Sequence, residues 1–120
     1  MNIAFWIAQG GLALVMVGVG SVHAFRYERT VERLPWMAAV GRRGMALIGA
    51  LEILGAIGLI APAVTGLLVW LTPLAAALIA LLMAFAIVFH WRRGERFGGN
   101  VFLLVAAVAV AYGRVAISPF

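Results

Sequence analysis

The stretch GMALIGALEILGAIGLIAP, residues 44–62, decides the fold: a single carboxylate, Glu52, stands among apolar and small residues, and no polar face recurs at helical spacing. A soluble helix carries polar residues on its outer side, so this segment belongs in lipid. A hydrocarbon core of ~30 Å takes roughly 17 to 25 residues at ~1.5 Å each. Four segments meet that length: about Ile3 to Phe25, Gly44 to Ala61, Leu67 to Trp91 and Val101 to Ile117. The chain of 120 residues is 66% hydrophobic and 11% charged, outside the balance of soluble domains. The expected fold is all-α, an integral membrane antiparallel four-helix bundle making one transmembrane domain over residues 1–120. The opening MNIAFWIAQGGLALVMVGVGSVHA has Val22 and Ala24 at a cleavage-like spacing. It lacks a basic n-region and its apolar run is too long for a signal peptide, so it reads as a retained helix.

Charge sets the expected orientation. All nine basic residues are Arg, for a net charge of +5, and eight lie in two loops: Arg26, Arg29, Arg33, Arg42 and Arg43, then Arg92, Arg93 and Arg96. Translocating positive charge is disfavoured, so both loops are predicted cytoplasmic and both termini outside. The basic pI then reports topology and contact with anionic lipid; no groove-reading motif accompanies it, and nucleic acid is not an expected partner. The chain has no Cys, which excludes intrinsic thiol or disulfide chemistry and Cys-ligated metals or clusters.

In the first loop, RYERTVERLPWMAAVGRR, Glu28 and Glu32 interleave with Arg29 and Arg33, while Leu34, Trp36 and Met37 supply an apolar side. A short interfacial helix interrupted at Pro35 is expected there, with Trp36 at headgroup level. Pro62 and Gly66 predict a tight turn within APAVTGLL, residues 61–68. Pro73 should bend the third helix, with Thr72 satisfying the carbonyl it frees. Gly98 and Gly99 should break the chain before Asn100, which is placed to cap the fourth helix. Rows of small residues mark packing faces: Ala76, Ala80 and Ala84, then Ala109 and Gly113, and Gly49, Gly55 and Ala56 around Glu52.

Glu52 lies nine residues beyond Arg43, about 13 Å along a helix and near mid-membrane. It must face the interior, pair with a base or stay protonated. It either contacts a ligand or handles protons, or it fixes helix register. His23 and His90 end the first and third helices at similar depth. With Asn100, and with Glu52 about two turns deeper, they are placed to line a polar pocket facing the loops. Anchoring at the interface competes for each His. As a metal site the set falls short, because no pair sits at a ligand spacing on one helix. Arg114 either snorkels to the outer surface or partners Glu52 from the outer side. Gln9, Ser21, Thr65 and Thr72 suit packing and backbone satisfaction.

VHAFRYER at 22–29 and FHWRRGER at 89–96 share the pattern H-x-x-R-x-E-R. That fits two similar helix pairs related by an axis along the membrane normal. The Arg residues set topology and the Glu residues are expected to pair with them at the surface.

On GSVHAF, GMALIGALEILGAIGLIAP, TPLAAALIALLMAFAIVFH and NVFLLVAAVAVAYGR, the chain resembles the DoxX family of small four-helix bacterial membrane proteins over nearly its whole length. The family takes its name from a subunit associated with a thiosulfate:quinone oxidoreductase, and other members are linked to membrane redox-stress complexes. The resemblance implies the bacterial inner membrane and transfers Glu52, His23 and His90 as site residues; any thiol-based role cannot come with it. Two functions follow. One is a redox-associated subunit binding a quinone or other lipophilic ligand, with electrons carried by a protein partner, since no haem ligand pair or flavin motif is present. The other is a non-enzymatic structural or assembly subunit, docking a larger complex or a homo-oligomer, in which Glu52 sets register. A transporter is a third and weaker reading, since four helices enclose only a small pathway.

Overall fold

A computed structural model describes residues 2–117; Met1 and residues 118–120 of the expected domain lie outside the described residues. The helices are α1 (Asn2–Phe25), α2 (Tyr27–Thr30), α3 (Trp36–Val40), α4 (Arg42–Thr65), α5 (Leu71–Arg92) and α6 (Gly98–Tyr112), with a π-helical turn over Gly113–Ile117. Four are long and apolar enough to cross a membrane. Their neighbours close a ring in the order α1, α4, α5, α6, with α1 against α4 and α5 against α6 the most extensive contacts. The bundle is 42 Å long, matching a bilayer with its headgroups.

Only 22 to 28% of each span is buried, and the outward side chains, such as Leu14, Leu54, Phe85 and Phe102, are apolar. Such a surface is stable only in lipid, so the chain is a multi-pass membrane protein. Inside, Leu12, Met16, Leu59, Ala76, Ile79, Met83, Ala107 and Val110 form the core. Because lipid is as apolar as that core, close packing holds the helices together. At Gly49 a Cβ would sit 2.5 Å from the Gly20 carbonyl oxygen, and at Gly58 one would sit 2.8 Å from the Ala75 Cβ. Ala107 and Val110 of α6, with Gly113 of the following turn, face inward, whereas Ala109 is turned outward, so the expected Ala109–Gly113 row is not the packing face. The row on α5 does pack, with Ala76 fully buried and Ala80 and Ala84 partly so.

The helix boundaries differ from the sequence expectation where proline and glycine were read locally. α4 runs through Pro62 to Thr65 and ends on Gly66, whose φ of 73° is left-handed. Pro62 cannot donate to the Gly58 carbonyl, yet the helix continues because the Thr72 hydroxyl donates to Gly58 O and Leu59 O, at 3.3 and 3.4 Å. Pro73 lies in the first turn of α5, where no N–H is required, so Thr72 serves Pro62 and not Pro73. Gly98 and Gly99 begin α6 instead of breaking the chain, and Asn100, expected as a cap, donates from Nδ2 to Met83 Sδ at 3.6 Å.

Away from the Arg-rich loops, Arg114 is buried and does not snorkel: its Nε donates to Gln9 Oε1 at 3.0 Å. Its guanidinium stacks on Phe5 and Trp6, 5.7 and 5.4 Å from the ring centres. Gln9 in turn donates to the Leu59 carbonyl, which Thr72 also reaches. One polar chain thus ties α6, α1, α4 and α5 together at this end.

Candidate functional site

Gly20 and His23 are one turn apart on α1, as are Gly49 and Glu52 on α4. The two glycines face each other, and no side chain holds the backbones apart. The helices run antiparallel, so His23 lies a turn toward the loops and Glu52 a turn away from them. Side chains lean toward their helix N-terminus, so these two lean toward each other, and His23 Nδ1 meets Glu52 Oε1 at 2.6 Å. Glu52 is 2% exposed. Two bare acceptors would repel at this distance, so a proton lies between them. A Cβ at Gly20 would lie 3.1 Å from Glu52 Cβ, so Glu52 stands level with Gly20, one turn deeper than His23 where two turns were expected. The partner of Glu52 is thus His23, whereas Arg114 is engaged with Gln9.

Trp36 begins α3 and packs inward. Its ring meets His23 edge-on at 5.4 Å and His90 at 4.8 Å, so it stands between the two imidazoles. Phe89 completes the cluster, 6.4 Å from Trp36 and 5.4 Å from His90. The loop is therefore a strap across one end of the bundle, and its α3 rests on α4.

His90 is held differently from His23. Its Nδ1–H donates to Glu95 Oε1 at 2.9 Å, and Arg93 Nε adds an ion pair at 3.2 Å. The hydrogen bond from His90 holds the Glu95 carboxyl below its ordinary 4.5, outweighing partial burial, and Arg93 lowers it further. The two copies of H-x-x-R-x-E-R differ at their three variable positions, and the third sets their backbones apart. Where the second has Gly94, with φ of 70°, the first has Tyr27. Gly94 reverses the chain and lets the Glu95 N–H bond the His90 carbonyl at 2.9 Å, which returns the Glu95 side chain to His90. Tyr27 avoids the left-handed region, the chain turns helical as α2, and Glu28 ends exposed in an ion pair with Arg42.

Between these groups lies a cavity of about 570 Å³, the size that takes a drug-sized molecule. Glu52, His23, His90 and Asn100 all line it. Arg96 adds a cation, and the other walls are apolar or aromatic, among them Val19, Leu34, Trp36, Met83, Phe85 and Phe89. Sequence reading missed Trp36 and Arg96 as pocket residues. Trp36 carried a usable signal in the apolar side of its loop, whereas Arg96 was one of eight loop arginines with nothing to single it out.

Chemically, the arrangement offers an apolar chamber with a buried proton-sharing pair on one wall and a second imidazole beyond Trp36. It suits an apolar molecule with a polar head that accepts hydrogen bonds. No curated protein and no solved structure matches the chain. Residues 7–112 match the profile of the DoxX-like family. With that match spanning all four long helices, the chain belongs to the DoxX-like family of membrane proteins.

Proposed function

We propose that this chain is an accessory subunit of a quinone-linked membrane redox system, holding the head of a quinone-like lipophile in the cavity around Glu52. The observation that carries this is the 2.6 Å Glu52–His23 pair, buried in an otherwise apolar wall. A buried carboxylate is costly in a membrane and is retained where it binds or moves something polar. A quinone taken to its hydroquinone gains two electrons and two protons. The electrons come from a partner's redox centre; the pair passes its proton to one carbonyl oxygen and is reprotonated from the loop end, where Arg96 and Asn100 stand. It supplies the second proton to the other oxygen in the same way, and is reprotonated again. His90, fixed by Glu95 through Nδ1, faces the head from the other side. The Arg-rich loops face the cytoplasm of a bacterial inner membrane and both termini face outward.

A second reading has its own support, since the same pair locks α1 to α4 beside the Gly20–Gly49 contact. On that reading the protein is a structural or assembly subunit, and Glu52 fixes helix register.

Glu52→Gln separates the two. The pocket reading expects a tail-less benzoquinone to bind the purified variant at least about tenfold more weakly, with complex assembly intact; the factor is one charge-assisted hydrogen bond of about 1.5 kcal/mol. Unchanged binding with failed assembly leaves only the structural role.

A further inference from the structure

A second concavity, about 550 Å³, runs along the outside of the bundle between α4 and α5. Gly55, Gly58 and Ala75 make its floor, low enough for the facing helix to touch, and its walls are leucines with no polar side chain. On α5 it extends from Phe85 to Leu71, about 21 Å along the axis, and on α4 from Leu51 to Gly58. It therefore begins near the level of Glu52 and runs away from the loops, toward the opposite end of the bundle.

Leu82 and Phe85 line both this groove and the Glu52 cavity. Phe85 is also 67% exposed on the outer surface. Leu82 and Phe85 thus form the wall shared between the cavity of the buried pair and the lipid-facing groove. The cavity takes a ring with its substituents, and a long membrane-soluble tail would extend beyond it. The shared wall is where a wholly apolar path begins.

We propose that the α4–α5 groove holds the apolar tail of the amphiphile whose head occupies the Glu52 cavity, and that this molecule arrives sideways from the bilayer past Phe85. The inference rests on the pocket reading above and adds to it a requirement for a tail and a route. The loop end is then free to be strapped by Trp36, since nothing needs to pass there except protons. Specificity divides accordingly: hydrogen-bond acceptors on the head select at Glu52, His23 and His90, while length and flexibility of the tail select along Leu54, Leu78 and Leu81.

The test uses the full chain in lipid nanodiscs and two probes, a decyl-substituted benzoquinone and the same ring without the tail. Leu54→Trp fills the groove at a position 62% exposed to lipid, so folding is expected to tolerate it. The tailed probe should bind this variant at least about tenfold more weakly than the wild type, and the tail-less ring within about twofold of it. Phe85→Ala should speed association of the tailed probe. Equal loss for both probes, or no loss for either, overturns the groove and leaves the pocket standing; a tail-less ring that fails to bind the wild type overturns the pocket and the groove with it. On unaltered protein, a photoreactive group at the tail end should label the α4–α5 face around Leu54 and Leu78. Labelling spread evenly over all lipid-facing helices identifies an ordinary annular chain and refutes the proposal.

Discussion

Replacing Gly49 with Ala should separate α1 from α4 and break the buried pair. A Cβ there would lie 2.5 Å from Gly20 O, 2.7 Å from Ala24 N and 2.8 Å from Ala24 Cβ, none of which has a rotamer that can yield. Restoring an ordinary contact of 3.4 Å moves the helices apart by about 0.9 Å. The same movement stretches the His23–Glu52 separation from 2.6 Å to about 3.5 Å, beyond hydrogen-bond range. Overpacking costs about 1–3 kcal/mol and loss of a charge-assisted hydrogen bond about 1.5–3 kcal/mol, against a helical gain of about 0.5–1 kcal/mol for replacing Gly. The net expectation is a destabilisation of about 1.5–5.5 kcal/mol. Gly18→Ala on α1 is the control, because a Cβ at Gly18 meets nothing within 4 Å and only the helical gain applies. Unfolding by titration with a denaturing detergent, followed by loss of helical circular dichroism, reads both. Equal stability of the two variants refutes the glycine contact as the cause of the pair.

Three further outcomes follow from other parts of the molecule. Thr72→Val should destabilise by about 1 kcal/mol in the wild type and by much less with Pro62→Ala, whose N–H takes over the Gly58 carbonyl; additive losses in the double-mutant cycle contradict that coupling. Glu95 is less easily protonated when folded than when unfolded, so its contribution is complete above its ordinary 4.5 and is lost as pH falls through the lower native value. The stability gap between wild type and Glu95→Gln should therefore close in acid, and a gap independent of pH is the opposing result. Gly94→Ala should cost about 1 kcal/mol through its left-handed φ and loosen the His90–Glu95 bond, with Gly98→Ala as a neutral comparison; a difference of zero in melting temperature argues against it.

The fold was legible because the hydrocarbon core imposes length and composition on each span, and residues 44–62 satisfy both. The site was partly legible for the same reason: a carboxylate cannot sit idle at that depth, so Glu52 identified itself, and His23, His90 and Asn100 line its cavity. What sequence alone could not supply was register. The Gly20–Gly49 contact depends on how far α1 slides against α4, and that slide decides whether His23 meets Glu52 or lies two turns away. Proline readings failed for a related reason. Pro62 looked like a turn, but its freed carbonyl is satisfied from another helix by Thr72, a partner that local sequence does not reveal. Trp36 was read from the position of its loop, whereas the loop folds inward as a strap.

The central claim is that the Glu52–His23 pair hydrogen-bonds the head of a quinone-like ligand within the membrane. Infrared difference spectroscopy on the full chain in nanodiscs, with a benzoquinone labelled with a heavy carbon isotope at its carbonyls, tests it most directly. The account predicts a carbonyl stretch shifted to lower frequency than in lipid alone, with the shift lost in His23→Phe and Glu52→Leu. A carbonyl band at the lipid frequency in the wild type, or a shift that survives both substitutions, contradicts it.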